Sequence, residues 1–509
     1  MIIERPQEFL STLEYWADVD PAAVAIREGD DDTTYSQLVE AIRSRAEVLI
    51  EAGLRVGDRV ALVADNSAEY LITAFAVWQA AGVLVTIYPS SGEHDLAQCL
   101  TRSDPVLVIA DRRVATSAVA ATSEKLPVVV LGPSFTVDRL SDTSMPTFAA
   151  TREDLALICF TSGSTDAPKA VMHSSQGLFR AARAYADVWH IGRTDRTVVC
   201  LPMAWAFGLV TTSMATLVAG GTVLSLSRMK PELLVAAVTN DGATLIAGVT
   251  TLFAKLVEHL KALDAAPDFS SVRLCISGGE PRNEPVFDAW TAMTGCPVHD
   301  VYAASECFPV VTYDPTQDPR PVPRSSGKVV AGASMRILDP EGNDIPVGGD
   351  GEAVWKGPAL MLGYWQDDEL TRSAMTDDGW YRTNDLVRID DDGYVFVEGR
   401  LSDMIIRGGS NVSPAEVENV LREHPSVVDA AVIGLPDETY GQQVVAAVVI
   451  GDSVSFDSDD VAAFGRTQLA SYKVPTAYVV VEELPLHPAT GKVDRRRVAA
   501  DLSSKQGAA

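Results

Sequence analysis

The sequence predicts an α/β protein built from at least two domains, and three observations lead to that prediction. The chain has 509 residues, more than the roughly 250–300 residues at which a single core stops growing. Apolar residues make up 47% of the chain, enough to fill more than one core. Stretches with helical apolar spacing alternate with short apolar runs, which is typical of helices layered on largely parallel sheets.

The alternation is clearest in the first quarter of the chain. Residues 38–52 carry apolar side chains at helical spacing, and Gly53 is a typical helix stop. Residues 60–63 follow a Gly-Asp-Arg turn, and their apolar side chains indicate a short buried strand. The same patterns predict a helix at 68–81 and strands at 83–87, 105–110 and 127–131.

The character of the sequence changes further on. A second α/β stretch runs from residue 155 to residue 309. After Pro319, short β-type runs at 335–338 and 352–355 are separated by Gly, Pro and Asp turns, which predicts a β-rich subdomain. A compact α+β segment follows from residue 401. We therefore expect a large N-terminal domain of layered α/β subdomains plus a β-rich subdomain, and a small α+β C-terminal domain.

Composition and charge exclude several classes of function. The net charge of −28 would repel a phosphate backbone, so a nucleic-acid partner is not expected. The six cysteines form no C-x-x-C pair and have no accompanying His cluster, which argues against a zinc site or a disulfide framework. We expect them to be reduced and mostly buried. The N-terminus lacks signal-peptide features, and no apolar run approaches the roughly 20 residues of a membrane span. A soluble, cytoplasmic protein without a membrane partner is expected.

The strongest local signal is an apolar strand that leads into a loop of small hydroxyl residues. The strand at 157–160 is followed by Thr-Ser-Gly-Ser-Thr-Asp-Ala-Pro-Lys at 161–169. Small side chains let backbone N–H groups approach phosphate oxygens, hydroxyls add donors, and Lys169 adds charge. It is not a Walker A loop, because Pro168 replaces the second glycine and no Ser or Thr follows Lys169. Alone, such a loop is more often a plain connection than a phosphate site.

Six further segments follow in order, and together with the loop they resemble the motifs of the adenylate-forming superfamily. This superfamily includes acyl-CoA synthetases, aryl-CoA ligases, firefly luciferases and the adenylation domains of peptide synthetases. The six segments are Leu-Pro-Met-Ala-Trp-Ala-Phe-Gly-Leu at 201–209, Ser-Gly-Gly-Glu-Pro at 277–281, Asp-Val-Tyr-Ala-Ala-Ser-Glu at 300–306, Gly-Trp-Tyr-Arg-Thr-Asn-Asp at 379–385, Gly-Arg-Leu-Ser-Asp at 399–403 and Pro-Leu-His-Pro-Ala-Thr-Gly-Lys at 485–492. Seven matches in the family's order are very hard to explain by chance.

The resemblance implies a site for ATP. Tyr302 would stack on adenine, Asp300 would accept from the adenine amino group, and Asp385 would take both ribose hydroxyls, with Arg400 nearby. The triphosphate is assigned to Thr161, Ser162, Gly163, Ser164, Thr165 and Lys169, with Ser305 as a further phosphate contact. The adenosine is assigned to Gly278, Gly279, Glu280, Pro281, Asp300, Val301, Tyr302, Asp385 and Arg400.

Catalysis in this family needs positioning and cationic screening, because a carboxylate must approach the α-phosphorus of ATP. The resemblance implies that Glu306 helps to hold Mg²⁺, which prefers oxygen ligands, and that Lys492 bridges the carboxylate and the α-phosphate. Ser305 completes the catalytic set with these two residues. In isolation, Glu306 could be an ordinary surface acid, Lys492 an ordinary loop lysine, and Asp385 with Arg400 a surface ion pair.

The acyl pocket implied by the resemblance is apolar. Peptide-synthetase domains carry an aspartate for the substrate ammonium where this chain has Trp205, so an α-amino acid is not expected. Acetate-specific relatives have a tryptophan where this chain has Ala303, so the pocket should admit more than acetate. No arginine is present there to pair with a second carboxylate. An alicyclic, aromatic or medium-chain acid is expected, although plain core packing is the alternative for the two aromatic residues. The implied lining is Trp205, Phe207, Gly208, Val249, Ala303, Ala304 and Phe308.

The resemblance also implies that the C-terminal domain is mobile. We expect an N-terminal AMP-binding domain at 1–399, a hinge at 400–403 and a C-terminal domain at 404–509. Ser402 stands at the hinge position, where the family usually has Asp or Lys, and Gly408 and Gly409 are expected on the coenzyme A side. The remaining departures from the family pattern are Asp166, Ala170 and Asn384. Asp and Asn tolerate left-handed backbone conformations better than most residues, so the turns at Asp166 and Asn384 can be preserved.

The leading hypothesis is an AMP-forming acid–thiol ligase that acts as a monomer or homodimer. It would convert a small-molecule carboxylic acid to acyl-AMP with release of pyrophosphate, and then pass the acyl group to coenzyme A. The main alternative is an adenylation-only enzyme that hands acyl-AMP to a separate ligase or carrier protein, since Trp205 stands where relatives gate the pantetheine tunnel. A luciferase-type oxygenase and a non-catalytic nucleotide-binding protein of this fold are the remaining alternatives.

Overall fold

A computed structural model of the chain describes residues 8–121, 126–138, 140, 155–161, 168–451, 456–486 and 493–506, with side chains as far as residue 502. Within these ranges the chain forms three sheets before residue 401 and a fourth sheet after it. Helices alternate with the strands over much of the chain, whereas residues 298–364 form strands with no helix between them. The mixed α/β architecture predicted from the sequence is confirmed.

The first sheet is mostly parallel. Arg59–Val63 lies near its centre and pairs in parallel with Val83–Thr86 and Leu107–Ala110. These are the strands predicted at 60–63, 83–87 and 105–110, and their ends differ from the prediction by at most two residues. In spatial order the described strands of this sheet are Gly363–Tyr364, Lys169–Ser174, Leu155–Thr161, Val83–Thr86, Arg59–Val63, Leu107–Ala110 and Val128–Val130.

The second sheet is parallel at its centre and antiparallel at both edges. Val298–Ala304 pairs in parallel with Leu274–Gly278 and antiparallel with Cys307–Thr312, so the Ser305-Glu306 pair forms the turn between two strands. In spatial order its described strands are Lys328–Val329, Cys307–Thr312, Val298–Ala304, Leu274–Gly278, Leu245–Gly248, Arg196–Val199, Thr222–Ser225, Val24–Glu28 and Asp31–Thr34, with Ala359–Leu360 paired to Cys307–Thr312.

Two smaller sheets complete the described part of the chain. The β-rich subdomain predicted after Pro319 is an antiparallel sheet, and the C-terminal segment forms a separate mixed sheet. The strands of the β-rich subdomain are Ser334–Leu338, Asp350–Lys356, Tyr381–Ile389 and Val395–Arg400. The strands of the C-terminal sheet are Ser410–Val412, Ile405–Arg407, Gly441–Ile450 and Val427–Asp437, with Ala477–Val481 paired to Gly441–Ile450.

Several helices begin at a residue whose side chain caps the first turn. Thr34 and Gln37 form a capping box before Tyr35–Glu51, the helix predicted at 38–52. Ser67 accepts from the Tyr70 N–H and so caps Ala68–Gln79. The other described helices are Phe9–Val19, Glu93–Ser103, Ala115–Ala121, Ser175–Val188, Ala215–Val218, Pro231–Thr239, Thr250–Lys261, Glu284–Thr294, Asp368–Ser373, Pro414–Arg422, Ser458–Gln468 and Arg495–Gln506, with a π-helix at Phe207–Met214 and a 3₁₀ turn at Leu401–Asp403.

Buried side chains form several cores. The largest contains residues of both the first and the second sheet, among them Leu62, Leu84 and Val199. The C-terminal sheet has separate cores of its own. All six cysteines are buried and form no disulfide, as predicted from the sequence. In the described ranges, no helix is both long enough and apolar enough to cross a membrane.

Candidate active site

The loop that resembles a phosphate site connects the two strands of a β-hairpin. Leu155–Thr161 pairs antiparallel with Lys169–Ser174, and Thr161 lies opposite Lys169. The two ends of the loop are therefore fixed side by side. We call these two strands the phosphate hairpin. The predicted positions outside the described residues are Ser162, Gly163, Ser164, Thr165, Asp166 and Lys492.

Lys169 and Glu306 approach the same tyrosine. Lys169 Nζ lies 5.6 Å from the ring centroid of Tyr364, and the Tyr364 hydroxyl donates a 2.9 Å hydrogen bond to Glu306 Oε1. Burial, together with the Glu306 carboxylate, raises the pKa of Tyr364, so this hydroxyl remains a donor. Lys169 and Glu306, two predicted site residues of opposite charge, therefore both lie close to Tyr364.

The surroundings of Glu306 suit Mg²⁺. Its side chain is buried, and no Lys or Arg within the described ranges forms an ion pair with it. A buried carboxylate without a cationic partner is costly unless a cation binds there. The same ranges contain no group of three or more His, Cys, Asp or Glu that could hold a metal alone. Phosphate oxygens would therefore supply further ligands, as is common for Mg²⁺.

A buried histidine attaches Ser305 to the phosphate hairpin. His173 lies on Lys169–Ser174, and its Nε2 is 2.7 Å from the Ser305 carbonyl oxygen. Burial lowers the pKa of His173 to about 4, so the ring is neutral near pH 7. The carbonyl oxygen can only accept, and Nε2–H is therefore the donor.

The predicted ribose residues form a connected group. The Tyr302 hydroxyl donates to Asp385 Oδ2 at 2.6 Å, and Arg400 Nε lies 3.0 Å from Asp385 Oδ1. The Asp385 side chain is only 9% exposed, so the pair differs from an ordinary surface ion pair. Asn384 adopts φ of 59°, which confirms that asparagine accommodates a left-handed conformation at this turn. The Tyr302 ring also packs edge-on against Trp355, with centroids 4.8 Å apart.

Asp300 is buried on Val298–Ala304, two residues before Tyr302. Ser326 Oγ donates to Asp300 Oδ2 at 2.7 Å. Burial raises the pKa of Asp300 to about 6, although nearby Arg282 acts in the opposite direction. A carboxylate that accepts this one bond keeps capacity for a second donor, such as an adenine amino group.

The adenine-side loop is closely packed. A side chain at Gly278 would bring its Cβ within 2.4 Å of Val301 Cγ1, so only glycine fits. Gly279 has φ of 79°, which glycine adopts readily. Glu280 Oε2 accepts from Thr251 N and Thr251 Oγ1, at 2.8 and 2.9 Å, which ties the loop to Thr250–Lys261. In addition, the Pro281 carbonyl oxygen accepts from Thr250 Oγ1 at 2.8 Å.

Trp205 faces the first sheet. Its ring centroid lies 5.6 Å from that of Tyr88, which follows Val83–Thr86. The turn that carries the tryptophan is bonded to the same sheet, because Thr86 Oγ1 donates to the Ala204 carbonyl oxygen at 2.8 Å. Trp205 is half-buried, and it lies where strands of the first and second sheets end.

Phe207 and Gly208 begin the π-helix. A Cβ at Gly278 would lie 3.3 Å from Phe207 Cε1, so Phe207 borders the adenine-side loop. A Cβ at Gly208 would lie 2.2 Å from the Pro202 carbonyl oxygen. The remaining predicted lining residues of the acyl pocket differ in how far their side chains are exposed. Val249, Ala303 and Ala304 are half-buried, whereas Phe308 is 2% exposed and packs 5.1 Å from the His173 ring.

The predicted hinge and coenzyme A residues lie in the C-terminal part of the chain. Ser402 is exposed in the 3₁₀ turn, and its Oγ donates to Asp403 Oδ1 at 3.1 Å. Gly408 and Gly409, with φ of 58° and 82°, form the turn between Ile405–Arg407 and Ser410–Val412. Gly408 N donates to the Tyr440 carbonyl oxygen at 2.8 Å, so this turn packs on its own unit.

The sequence did not indicate several residues that contact the predicted set. His173 is a polar residue in a buried strand, four positions after Lys169, and strand alternation would have placed both on one face. Tyr364 lies in a Gly-Tyr-Trp segment that nothing in the local sequence connects to Glu306. The contacting residues that were missed are Tyr88, His173, Ser326 and Tyr364.

Comparisons with known proteins identify the family to which the chain is similar. Residues 13–365 match a family model described as AMP-binding enzyme, and residues 416–492 match one described as AMP-binding enzyme C-terminal domain. The chain is 34% identical over 471 residues to feruloyl-CoA synthase from Amycolatopsis sp., a match that covers 92% of this chain and 94% of the synthase.

Two solved structures are similar over nearly the whole chain. ATP-bound MatB from Rhodopseudomonas palustris has a TM-score of 0.85 and 30% identity, and the match covers 97% of this chain and 98% of MatB. The amide bond synthetase McbA from Marinactinospora thermotolerans has a TM-score of 0.86 and 28% identity, and the match covers 97% of this chain and 99% of McbA.

Proposed function

The chain belongs to the AMP-binding enzyme family, and on that premise we propose that it is a ligase that activates a small-molecule carboxylic acid with ATP and transfers the acyl group to coenzyme A. One observation carries the proposal. The strand Val298–Ala304 and the turn after it organise three buried carboxylates: Asp300, Asp385 through Tyr302, and Glu306. The adenine amino group and the ribose hydroxyls of one nucleotide need hydrogen-bond acceptors, and the metal ion that accompanies its phosphates needs an oxygen ligand. Three carboxylates in this arrangement can meet these three needs.

The first step joins the acid to AMP. A carboxylate oxygen attacks the α-phosphorus, the bond from that phosphorus to the bridging oxygen breaks, and pyrophosphate leaves. Asp300 and Asp385 hold the nucleoside in place, while Lys169 faces the phosphates. Lys492 balances the charge that develops between the carboxylate and the α-phosphate. Mg²⁺, with Glu306 as a ligand, would screen the phosphate oxygens when bound.

The second step forms the thioester. The coenzyme A sulfur attacks the acyl carbon, the bond between that carbon and the phosphate oxygen breaks, AMP leaves, and the thiol proton passes to solvent. Gly408 and Gly409 are proposed to approach the site from the C-terminal domain after rotation about Ser402. Both glycines adopt a left-handed φ, and a Cβ at Gly409 would have no atom within 4 Å, so a long thin substituent could pass close to the backbone at Gly409.

The substrate is proposed to be an alicyclic, aromatic or medium-chain acid. Trp205, in the turn before the π-helix, lies against Tyr88, and Phe207, at the start of the π-helix, borders Gly278, so both supply aromatic surface for the acid. Apolar walls with few polar groups suit an acid whose body is apolar. The similarity to a synthase named for feruloyl-CoA is in keeping with this class.

A second candidate function replaces coenzyme A by another acceptor. The similarity to an amide bond synthetase favours an amine as that acceptor. A carrier protein or separate ligase would receive acyl-AMP in the same way. The Tyr88–Trp205 contact supports this alternative, because two aromatic rings beside the implied thiol route would narrow it.

A screen of acids with ATP and Mg²⁺, with and without coenzyme A, tests both proposals. Pyrophosphate release and acyl-CoA formation are measured for aromatic, alicyclic, medium-chain and dicarboxylic acids. We expect at least one acid of the first three classes to give multiple turnovers only with coenzyme A. Pyrophosphate release without acyl-CoA would favour a different acceptor, and no pyrophosphate from any acid would contradict acid activation.

The lysine near the C-terminus provides a second test. Lys492→Ala should slow acyl-AMP formation by about 10²–10³, the usual cost of losing one electrostatic stabiliser of a transition state. ATP binding, measured by calorimetry, should persist. Lys261→Ala, at the exposed end of Thr250–Lys261, is the matched control. A Lys492→Ala variant that releases pyrophosphate at the wild-type rate would remove this residue from the mechanism.

A further inference from the structure

We propose that Tyr364 and His173 are positioning residues that fix Glu306 for Mg²⁺·ATP and couple it to the phosphate hairpin. The inference rests on the proposed function, because it takes Glu306 as the metal ligand. Neither residue belongs to the seven segments that carry the family resemblance. Both are buried polar side chains whose polar atoms point at the Ser305-Glu306 turn.

Tyr364 acts on the carboxylate itself. Its hydroxyl is 2.9 Å from Glu306 Oε1, and both side chains are buried. A hydrogen bond to an ionised carboxylate is stronger than a neutral one, and it fixes the rotation of the carboxylate plane. With Oε1 engaged in this way, Oε2 would remain to hold the metal ion. Groups that orient a metal ligand in this manner commonly set the affinity of the site.

His173 acts on the backbone of the same turn. Its Nε2–H donates to the Ser305 carbonyl oxygen at 2.7 Å, and its ring packs 5.1 Å from that of Phe308. The residue is 0% exposed, and its Nδ1 has no hydrogen-bond partner in the described part of the chain. The bond to Ser305 is therefore the one hydrogen bond of this imidazole among the described residues, and it fixes the ring against the Ser305-Glu306 turn.

The segment from 361 to 364 joins these contacts into one unit. Met361 N donates to the Glu306 carbonyl oxygen at 2.7 Å, and Leu362 N donates to the Met172 carbonyl oxygen at 2.8 Å. Tyr364 then pairs with Val171 of the phosphate hairpin. Residues 361–364 thus hold Glu306 at both its backbone and its carboxylate. The same residues are hydrogen-bonded to the strand that carries Lys169. The metal ligand and the phosphate hairpin are therefore presented to ATP together.

Removing the tyrosine hydroxyl tests the first half of the proposal. Tyr364→Phe should raise the Mg²⁺ concentration that gives half-maximal pyrophosphate release by roughly tenfold. This is the lower end of the range of metal-affinity losses seen when a group that orients a metal ligand is removed. The rate at saturating Mg²⁺ should fall much less. Calorimetry should show the same loss for ATP binding with Mg²⁺, and little change for ATP in the presence of EDTA.

Tyr70→Phe is the matched control. Tyr70 is equally buried, and its hydroxyl has no hydrogen-bond partner among the described residues. This variant should keep the wild-type Mg²⁺ dependence. If Tyr364→Phe and Tyr70→Phe give the same Mg²⁺ dependence and the same calorimetric binding, Tyr364 is only a core residue and the proposal is overturned.

Two histidine variants test the second half. His173→Gln can place an amide N–H near the position of Nε2, whereas His173→Leu cannot donate. We expect the leucine variant to raise the Mg²⁺ requirement and the glutamine variant to recover part of the loss. Equal defects in both variants at wild-type melting temperature would contradict the donor role. If the leucine variant does not fold, the glutamine variant and Tyr364→Phe still decide the outcome.

A double variant separates this proposal from the proposed function. In a Glu306→Gln background, Tyr364→Phe should cause no further loss of Mg²⁺-dependent ATP binding, because both changes act through one ligand. Independent, additive losses would overturn the coupling. The binding measurement needs no acid substrate, so it remains decisive even if every acid fails to give pyrophosphate, a result that would contradict the proposed function alone.

Discussion

At the scale of single residues, the protonation of Asp300 is expected to make the stability of the folded protein depend on pH. Burial raises the pKa of its carboxyl to about 6. Because the folded-state pKa lies above the ordinary value, the folded protein takes up a proton before the unfolded chain does. Ionised Asp300 therefore lowers stability above pH 6, and this penalty fades as pH falls from 6 towards 4. A shift of this size corresponds to on the order of 3 kcal/mol.

The expected consequence is a nucleotide affinity that depends on pH. Protonated Asp300 would turn one acceptor into a donor, so the KM for ATP should rise as pH falls below 6. Asp300→Asn keeps an acceptor for Ser326 and removes the charge, so at pH 7 it should melt no lower than wild type. Its KM for ATP should be flat between pH 5 and 7. A wild-type KM that is equally flat would contradict the role of Asp300 at the adenine.

Trp205 is the residue on which acid preference is expected to depend. Trp205→Ala removes a large ring that contacts Tyr88, so the pocket should accept bulkier acids and bind small ones less well. If the ring also obstructs the thiol, acyl-CoA formation should rise relative to acyl-AMP formation. Tyr88→Phe keeps the ring contact and is the control. Unchanged acid preference and unchanged ratio of the two steps would identify Trp205 as core packing.

At the scale of elements, the π-helix Phe207–Met214 depends on one glycine. A Cβ at Gly208 would lie 2.2 Å from the Pro202 carbonyl oxygen, so Gly208→Ala forces the backbone to shift. Overpacking of this kind typically costs about 1–3 kcal/mol. We expect a lower melting temperature and a weaker apparent affinity for the acid, because Phe207 moves with the helix start.

A second glycine gives the control for this element. A Cβ at Gly192 would have no atom within 4 Å, so Gly192→Ala should leave the melting temperature and the acid affinity unchanged. Equal behaviour of the two alanine variants would show that the turn from 202 to 208 can relax, and that the π-helix start does not set the acyl site.

At the scale of the whole molecule, the division into domains is open to a direct test. The Arg400 side chain is 60% exposed and is paired with Asp385, and Leu401 is 38% exposed. Trypsin should therefore cut after Arg400 and release a fragment that begins at Leu401, identified by its mass. ATP with Mg²⁺ should slow this cut, because the nucleotide engages Asp385 beside Arg400.

Two contacts near the hinge bear on the expected rotation of the C-terminal domain. Arg495 Nε lies 3.6 Å from Asp403 Oδ2, and Ser413 Oγ donates to the Glu398 carbonyl oxygen. The Ser413–Glu398 bond crosses the predicted boundary at 400–403, so a rotation about Ser402 would have to break it, whereas the Arg495–Asp403 pair joins the end of the hinge to the C-terminal domain. Resistance of the Arg400 bond to trypsin, with and without nucleotide, would contradict a mobile hinge at this position.

Features encoded in contiguous residues could be predicted from the sequence. The alternation at 38–110 specified helices and parallel strands, because apolar spacing reports which face of an element is buried. The order of the seven segments indicated the family, and the turn chemistry after Pro319 indicated the β-rich subdomain. Asn384 was expected to accept a left-handed conformation from its side chain alone, and its φ is 59°.

The tertiary structure alone decided which residues act together. The bonds Tyr364–Glu306, Tyr302–Asp385 and His173–Ser305 join residues 58, 83 and 132 positions apart. No local pattern encodes such pairs, because hydrogen bonds form between atoms that the sheet order brings close, whatever their separation in sequence. The sequence by itself therefore determined the kinds of groups that an acid-activating site needs. The folded chain determined which buried tyrosine and histidine hold those groups, since burial and hydrogen-bond partners exist only once the sheets have packed.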